Sequence, residues 1–341
     1  MKFSRRHAIT AGIVAVAAVT AGVAVGRTRT AGDPIPNALN SAYTKYKDLK
    51  EGSNADYIPA LAKVNPQLYG IALVTTDGQV YTAGDVNSEV SIQSISKVFT
   101  MARVIQDQGE AALRDNIGFD ATGQVFNSIV AIEQYKGKEM NPLVNAGAIV
   151  TTSMVGGNSA QEVWNNILST YDAFAGRQLA VNQEVYRSEA ATNQRNQAIG
   201  QLMYAYERIK GNPQQAVDIY TRQCSVNVNA VDLATMAATL ANGGKNPVTR
   251  QVVIDAKHVP AILAIMATAG LYDDSGEWFA WTGLPAKSGV GGGLLAVSPG
   301  RFGIAVISPP LDPAGNSVRG QRAIADVDAA LGANPYYVHP R

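Results

Sequence analysis

The chain reads as an α+β protein in which strands from both ends build one antiparallel sheet and the middle forms a helical lobe against it. Strand-like runs bounded by turn residues occur at residues 69–82 and again at 286–308. Between them, from residue 94 to about residue 244, apolar side chains recur mostly at helical spacing. Size agrees: 341 residues, 46% hydrophobic and 16% charged, can bury a large core. The predicted sheet lobe takes residues 37–90 and 280–335 and the helical lobe residues 91–279, together a single domain of residues 37–335.

Taken in order, residues 37–50 space their apolar side chains helically and stop before Gly52, which predicts a helix. Residues 69–75 and 79–82 flank Asp77-Gly78, a strong hairpin signal. Ser94 opens a helical pattern through Val98, Met101, Ala102 and Ile105 that ends near Gly109. Asn229 is the predicted N-cap of a helix over residues 230–240, with Asp232 at its third position and Asn242-Gly243-Gly244 as its stop. Residues 256–269 read as a helix apolar almost all round, and therefore buried. Strands over 286–290, 294–297 and 302–308 are joined by Gly291-Gly292-Gly293 and Ser298-Pro299-Gly300, and a last helix covers residues 318–331.

Residues 1–33 stand apart. Arg5-Arg6 precedes an uncharged Ala/Gly/Val run over residues 8–26, the pattern of a twin-arginine export signal. An exported protein, periplasmic or secreted, is the expectation. The alternatives are a retained run over residues 8–26 acting as a membrane tether, or a cytoplasmic protein. Without residues 1–33 the chain carries 23 basic and 26 acidic residues, net −3, and no nucleic-acid partner is expected.

Cys224 is the only cysteine, so a disulfide framework within the chain is excluded. His7 lies in the N-terminal stretch and His339 two residues from the C-terminus, which leaves His258 for any Ser-His-carboxylate triad, without a nucleophile-elbow context. No His/Asp/Glu cluster has ligand spacing, so no metal is expected.

Chemistry concentrates at Ser94-Ile95-Ser96-Lys97. On a helix, residues i and i+3 share a face, so Lys97 can sit against the Ser94 hydroxyl and take its proton if burial keeps part of the amine neutral. Alone, the pattern equally fits a capped, solvated helix start. Downstream, Lys287-Ser288-Gly289 supplies a second element, and the two in this order mark serine acyl-transfer enzymes of the penicillin-recognising type. In that reading Lys287 adds positive potential and Gly289 allows close approach. The Val290 backbone N–H then points at a developing oxyanion. Of Asn141 and Asn145, one is expected to cap the following helix. Tyr186 to Asn196 is a polar patch, read as either a solvated helix face or a substrate-binding face. Tyr220 near a helix end packs or relays a proton.

The strings SIQSISKV, NPLVNAGAI, SEAATNQRN, YTRQCS, GLYDDSGEW and AKSGVGGGLLAVSPGRFGIAVISPPLD, in this order, resemble the serine-dependent bacterial-type glutaminases over residues 37–331. The resemblance implies a β-lactamase/transpeptidase-like fold and hydrolysis of L-glutamine to L-glutamate and ammonia through a glutamyl-serine ester, without cofactor. It makes Ser94 the nucleophile, Lys97 its activator, Tyr220 the proton shuttle, and the N–H groups of Ser94 and Val290 the oxyanion hole. Asn145, Glu189, Asn196 and Tyr272 would hold the amino-acid end, with Lys287 and Ser288 in support. A homodimer or homotetramer is expected. The rival readings are a β-lactamase or penicillin-binding enzyme, for which no Ser-Asp-Asn element is evident, and a non-catalytic amino-acid-binding protein on the same fold.

Overall fold

A computed structural model describes residues 32–338 and Pro340. The predicted signal or anchor over residues 1–33, with its tether run at 8–26, lies almost wholly outside the described residues.

Five antiparallel strands form the main sheet: β1 Gly70–Thr75, β2 Val80–Gly84, and, after a gap of some two hundred residues, β5 Ala286–Gly289, β6 Gly293–Ser298 and β7 Phe302–Ile307. Their order is β2-β1-β7-β6-β5, so β1 of the first hairpin pairs with β7 of the last, Gly70 opposite Ile307 and Thr75 opposite Phe302. Both chain ends therefore build one sheet, as expected. A separate two-stranded ribbon, β3 Val90–Ser91 with β4 Asn227–Val228, was not foreseen because each strand is two residues long.

Side chains alternate across the sheet and both faces are covered. Ala72, Val74, Leu295, Val297, Ala305 and Ile307 join the core of the helical lobe. Ile71, Leu73, Leu294, Ala296, Ile304 and Val306 join a second core beneath the terminal helices Pro34–Tyr46 and Val318–Leu331. Burial on both faces explains why these strands read as nearly continuous apolar runs. The helix Ala230–Ala241 crosses the inner face so closely that a Cβ on Gly303 would lie 2.1 Å from Ala238 N. Only glycine fits there.

Asn229 caps that helix as predicted: its side chain accepts from Asp232 N at 2.9 Å, and Asp232 accepts from Asn229 N at 2.8 Å. Two expectations change. The first helix runs Pro34–Tyr46, starting earlier because proline suits the first turn. Residues 256–269 divide into a 3₁₀ turn Ala256–His258 and a helix Val259–Ala269 buried along one stripe (Ile262, Ile265, Met266, Ala269), with Pro260, Ala264 and Thr268 exposed. Its apolar circumference reflects small exposed residues rather than burial all round.

Candidate active site

Ser94 sits in a 3₁₀ turn, Gln93–Ile95, that leads into the helix Ser96–Gln108. The tight turn carries residues three apart onto one face. Lys97 Nζ accordingly donates to Ser94 Oγ at 3.0 Å. Ser94 is buried and makes no N-cap bond, which removes the capped, solvated reading. Lys97 is 1% exposed, and burial pushes its amine down to about 8, so a useful fraction is neutral near that pH.

Asn145 corrects another expectation. It is the first residue of the helix Asn145–Met154, whose N-cap is Val144 without a side-chain cap bond. Asn141 does not cap it either: its oxygen accepts from Leu143 N at 3.0 Å. The Asn145 carbonyl accepts instead from Lys97 Nζ at 2.7 Å and from the Tyr220 hydroxyl at 3.1 Å, while its amide donates to Asn196 Oδ1 at 2.9 Å. A carbonyl receiving two donors fixes which way the amide points. Tyr220, on the helix Pro213–Cys224, is held protonated because burial raises its phenol well above the usual range.

The polar patch over residues 186–196 divides between solvent and the interior. Arg195 and Gln194 are exposed, whereas Glu189 points inward from the helix Gln183–Thr192. Glu189 Oε2 accepts from Gln93 Nε2 at 3.3 Å. Burial pushes its carboxyl up to about 7, against the lowering effects of Gln93 and the Lys97 charge. Asn196 follows on the helix Gln194–Ala205.

Val290 comes directly after β5. A Cβ on Gly289 would meet Ile92 O at 2.7 Å, and one on Gly291 would meet Ser91 O at 2.3 Å. Glycines flanking Val290 thus let this strand end lie against the backbone just before Ser94. Ser94, Asn145, Glu189, Asn196, Tyr220 and Val290 line one cavity of about 270 Å³.

The remaining predicted residues stand behind that lining. The Tyr272 hydroxyl donates to Ser288 O at 3.2 Å and interacts with Ser94, and its ring lies 4.8 Å from that of Phe126. Lys287 Nζ donates to Gly270 O at 2.9 Å and Ser288 O at 2.8 Å and lies 4.3 Å from the Tyr272 ring centre. Burial, and then the neighbouring Lys97 charge, hold its amine well below the usual range. It braces the strand rather than meeting Ser94. Ser288 Oγ reaches Gly315 O at 3.5 Å.

Gln93, Tyr57 and Phe126 also line the cavity and escaped the sequence reading, and Arg195, from the polar patch, lines it as well. Gln93 had one available signal, its place beside Ser94. Tyr57 and Phe126 come from irregular segments without a motif. Among the described residues, no group of three or more His, Cys, Asp or Glu side chains is placed to hold a metal ion.

The sequence model of the glutaminase family matches residues 52–336. The chain belongs to the glutaminase family. Curated relatives include a glutaminase of Colwellia psychrerythraea, 50% identical over 300 residues covering 88% of this chain and 96% of that protein. Glutaminase 1 of Shigella flexneri is 50% identical over 302 residues, covering 89% and 97%. Among solved structures, probable glutaminase ybaS superposes with a TM-score of 0.88 at 48% identity, over 90% of this chain and 99% of that one. A Bacillus glutaminase gives 0.80 at 29% identity, over 88% and 99%. The β-lactamase-like α+β fold and the amidohydrolase class expected from the sequence both hold for this glutaminase.

Proposed function

We propose that this glutaminase hydrolyses L-glutamine to L-glutamate and ammonia with Ser94 as nucleophile and a glutamyl ester on Ser94 Oγ as intermediate. The observation that carries the reading is the 3.0 Å bond from Lys97 Nζ to Ser94 Oγ at the foot of a cavity that also presents Glu189. Neutral Lys97 takes the Ser94 proton as Oγ attacks the side-chain amide carbon. Charge on the amide oxygen is met by the N–H groups of Ser94 and Val290. Tyr220 protonates the departing nitrogen and regains a proton from Lys97, its neighbour through Asn145 Oδ1. The carbon–nitrogen bond breaks, ammonia leaves, and water, activated by the same base, cleaves the ester. Glu189 pairs with the substrate ammonium, and the Asn145 and Asn196 amides hold the amino-acid end, with Tyr272 acting from behind the lining through its interaction with Ser94. Cutting the cavity's polar partners out of a shorter or ammonium-free analogue leaves them unpaired, which favours free glutamine over lactams.

Ammonia release from L-glutamine by the purified full chain and by a folded Ser94→Ala variant tests this directly. Equal rates from the two proteins would overturn the assignment. Assembly as a homodimer or homotetramer, and export with residues 8–26 as a tether where the signal is kept, belong to the same proposal. Light scattering on the purified protein and fractionation of cells producing the full chain test them; a monomer in solution, or a wholly cytoplasmic protein, would contradict the respective part.

A further inference from the structure

Gln93 and Tyr272 are the two residues of this site with a left-handed backbone, and Gln93 is the one that adjoins Ser94. It is 3% exposed and adopts φ +48°, a left-handed value that a non-glycine residue seldom takes. Strain of this kind persists only where the surroundings over-determine it, and it gathers at functional sites. Three contacts define those surroundings. The Gln93 amide nitrogen donates to Ser91 Oγ at 3.2 Å and to Glu189 Oε2 at 3.3 Å. The side-chain stem lies where Cβ atoms on Gly289 and Gly291 would approach it, at 3.5 and 3.4 Å. Gln93 is also the immediate neighbour of Ser94 along the chain. One side chain therefore touches the nucleophile turn, the strand end that delivers Val290, and the carboxylate on the opposite wall.

Resting on the proposed roles of Ser94 and Glu189, we propose that Gln93 is a positioning residue that ties the nucleophile turn to the ammonium-binding carboxylate. It thereby sets both the reach between Ser94 and Glu189 and the ionised, inward-facing state of Glu189. The groups that face Glu189 are few. Lys97 comes from the helix behind Ser94, Tyr220 and the Cys224 thiol from the helix Pro213–Cys224, and Tyr57 from the segment over the cavity. Arg195 lines the same cavity from the exposed side. Of these, Lys97 is the one cation buried with Glu189, and it has to be neutral before it can take the Ser94 proton. In the free enzyme in that state the Gln93 amide is the donor that holds the carboxylate charged. A carboxylate accepting a hydrogen bond keeps its charge more readily, so removing the donor raises the proton affinity of Glu189.

The test is a set of variants of the full chain assayed on L-glutamine across pH 5 to about 9. Gln93→Met keeps the volume and removes the amide. It raises KM about tenfold while kcat falls less than about threefold, as loss of one hydrogen bond to a charged group predicts. The acidic limb of its kcat/KM profile moves to higher pH by about one unit. In a Glu189→Gln background the same change adds less than about twofold, because the partner charge is gone. Should Gln93→Met fail to fold, Gln93→Asn accepts the positive φ and is too short to span both partners, and it shows the same KM rise and limb shift. A folded Gln93 variant with unchanged KM and limb overturns the inference. So does an equal effect with Glu189 intact or replaced, or a parallel fall in kcat at every pH, the mark of a merely structural role. If Glu189→Gln by itself leaves KM untouched, the reading of the site fails first; if it raises KM and the Gln93 variants do not, only the role of Gln93 fails.

Discussion

The two ends of the cavity are built on opposite principles. At the nucleophile end the polar atoms already have partners: Lys97 bonds Ser94 and Asn145, Tyr220 bonds Asn145, and Asn145 bonds Asn196. At the other end Glu189 is buried with one bond from Gln93, and its carboxyl is pushed up to about 7. The first end is pre-organised, so little rearrangement is left for the chemical step. The second is a buried carboxyl without a cationic partner at hydrogen-bond distance, and in the proposed function the substrate ammonium completes the pair, so that binding energy there works as recognition. Stability and function therefore pull together at one end and apart at the other.

Breaking the pre-organised end has the largest effects. Lys97→Met removes the base and lowers kcat by about 10³-fold or more in steady-state ammonia release, with the fold intact by circular dichroism. A variant retaining a tenth of the activity would move the base elsewhere. Tyr220→Phe keeps the ring and removes the donor, and kcat falls about 10²-fold with KM little changed.

At the recognition end, Glu189→Gln raises KM about 10²-fold through loss of the charge–charge hydrogen bond. It also stabilises the free protein. The folded pKa of Glu189, about 7, lies above its ordinary value of 4.5, so the native state holds the proton more tightly than the unfolded chain. The stability this group contributes is complete below pH 4.5 and is lost as pH rises to about 7. Denaturant titration should thus find Glu189→Gln more stable than the parent by about 3 kcal/mol at pH 8 and equal to it near pH 4. Equal stabilities at both pH values would remove the contrast between the two ends. The smallest change is Lys287→Met, about tenfold in kcat, because Lys287 spends its donors on Gly270 O and Ser288 O and acts on Ser94 only through the strand. A loss as large as that of Lys97→Met would place both lysines in the proton path.

The hairpins of the sheet and the pairing of Ser94 with Lys97 were legible in the sequence because each is marked by short-range spacing. Asp77-Gly78 marks one hairpin, Gly291-Gly292-Gly293 another, and a three-residue interval brings Lys97 to Ser94. What stayed hidden depends on partners far apart in the chain. The partner of the Asn145 carbonyl is Lys97, 48 residues away, so a local reading could only offer it a capping role. Gln93 meets Glu189 across 96 residues and takes a backbone conformation that no glycine announces. The 3₁₀ turn at Gln93–Ile95 was read as ordinary helix, since one tight turn leaves no mark on the apolar spacing.

The glutamyl ester on Ser94 can be caught by rapid acid quench of the full chain during turnover of L-glutamine, followed by peptide mass analysis. The expected result is a mass gain of one glutamyl unit on the peptide containing Ser94, absent from Ser94→Ala and released by hydroxylamine. A glutamyl unit on another residue, or undiminished turnover by Ser94→Ala with no adduct in either protein, would contradict it.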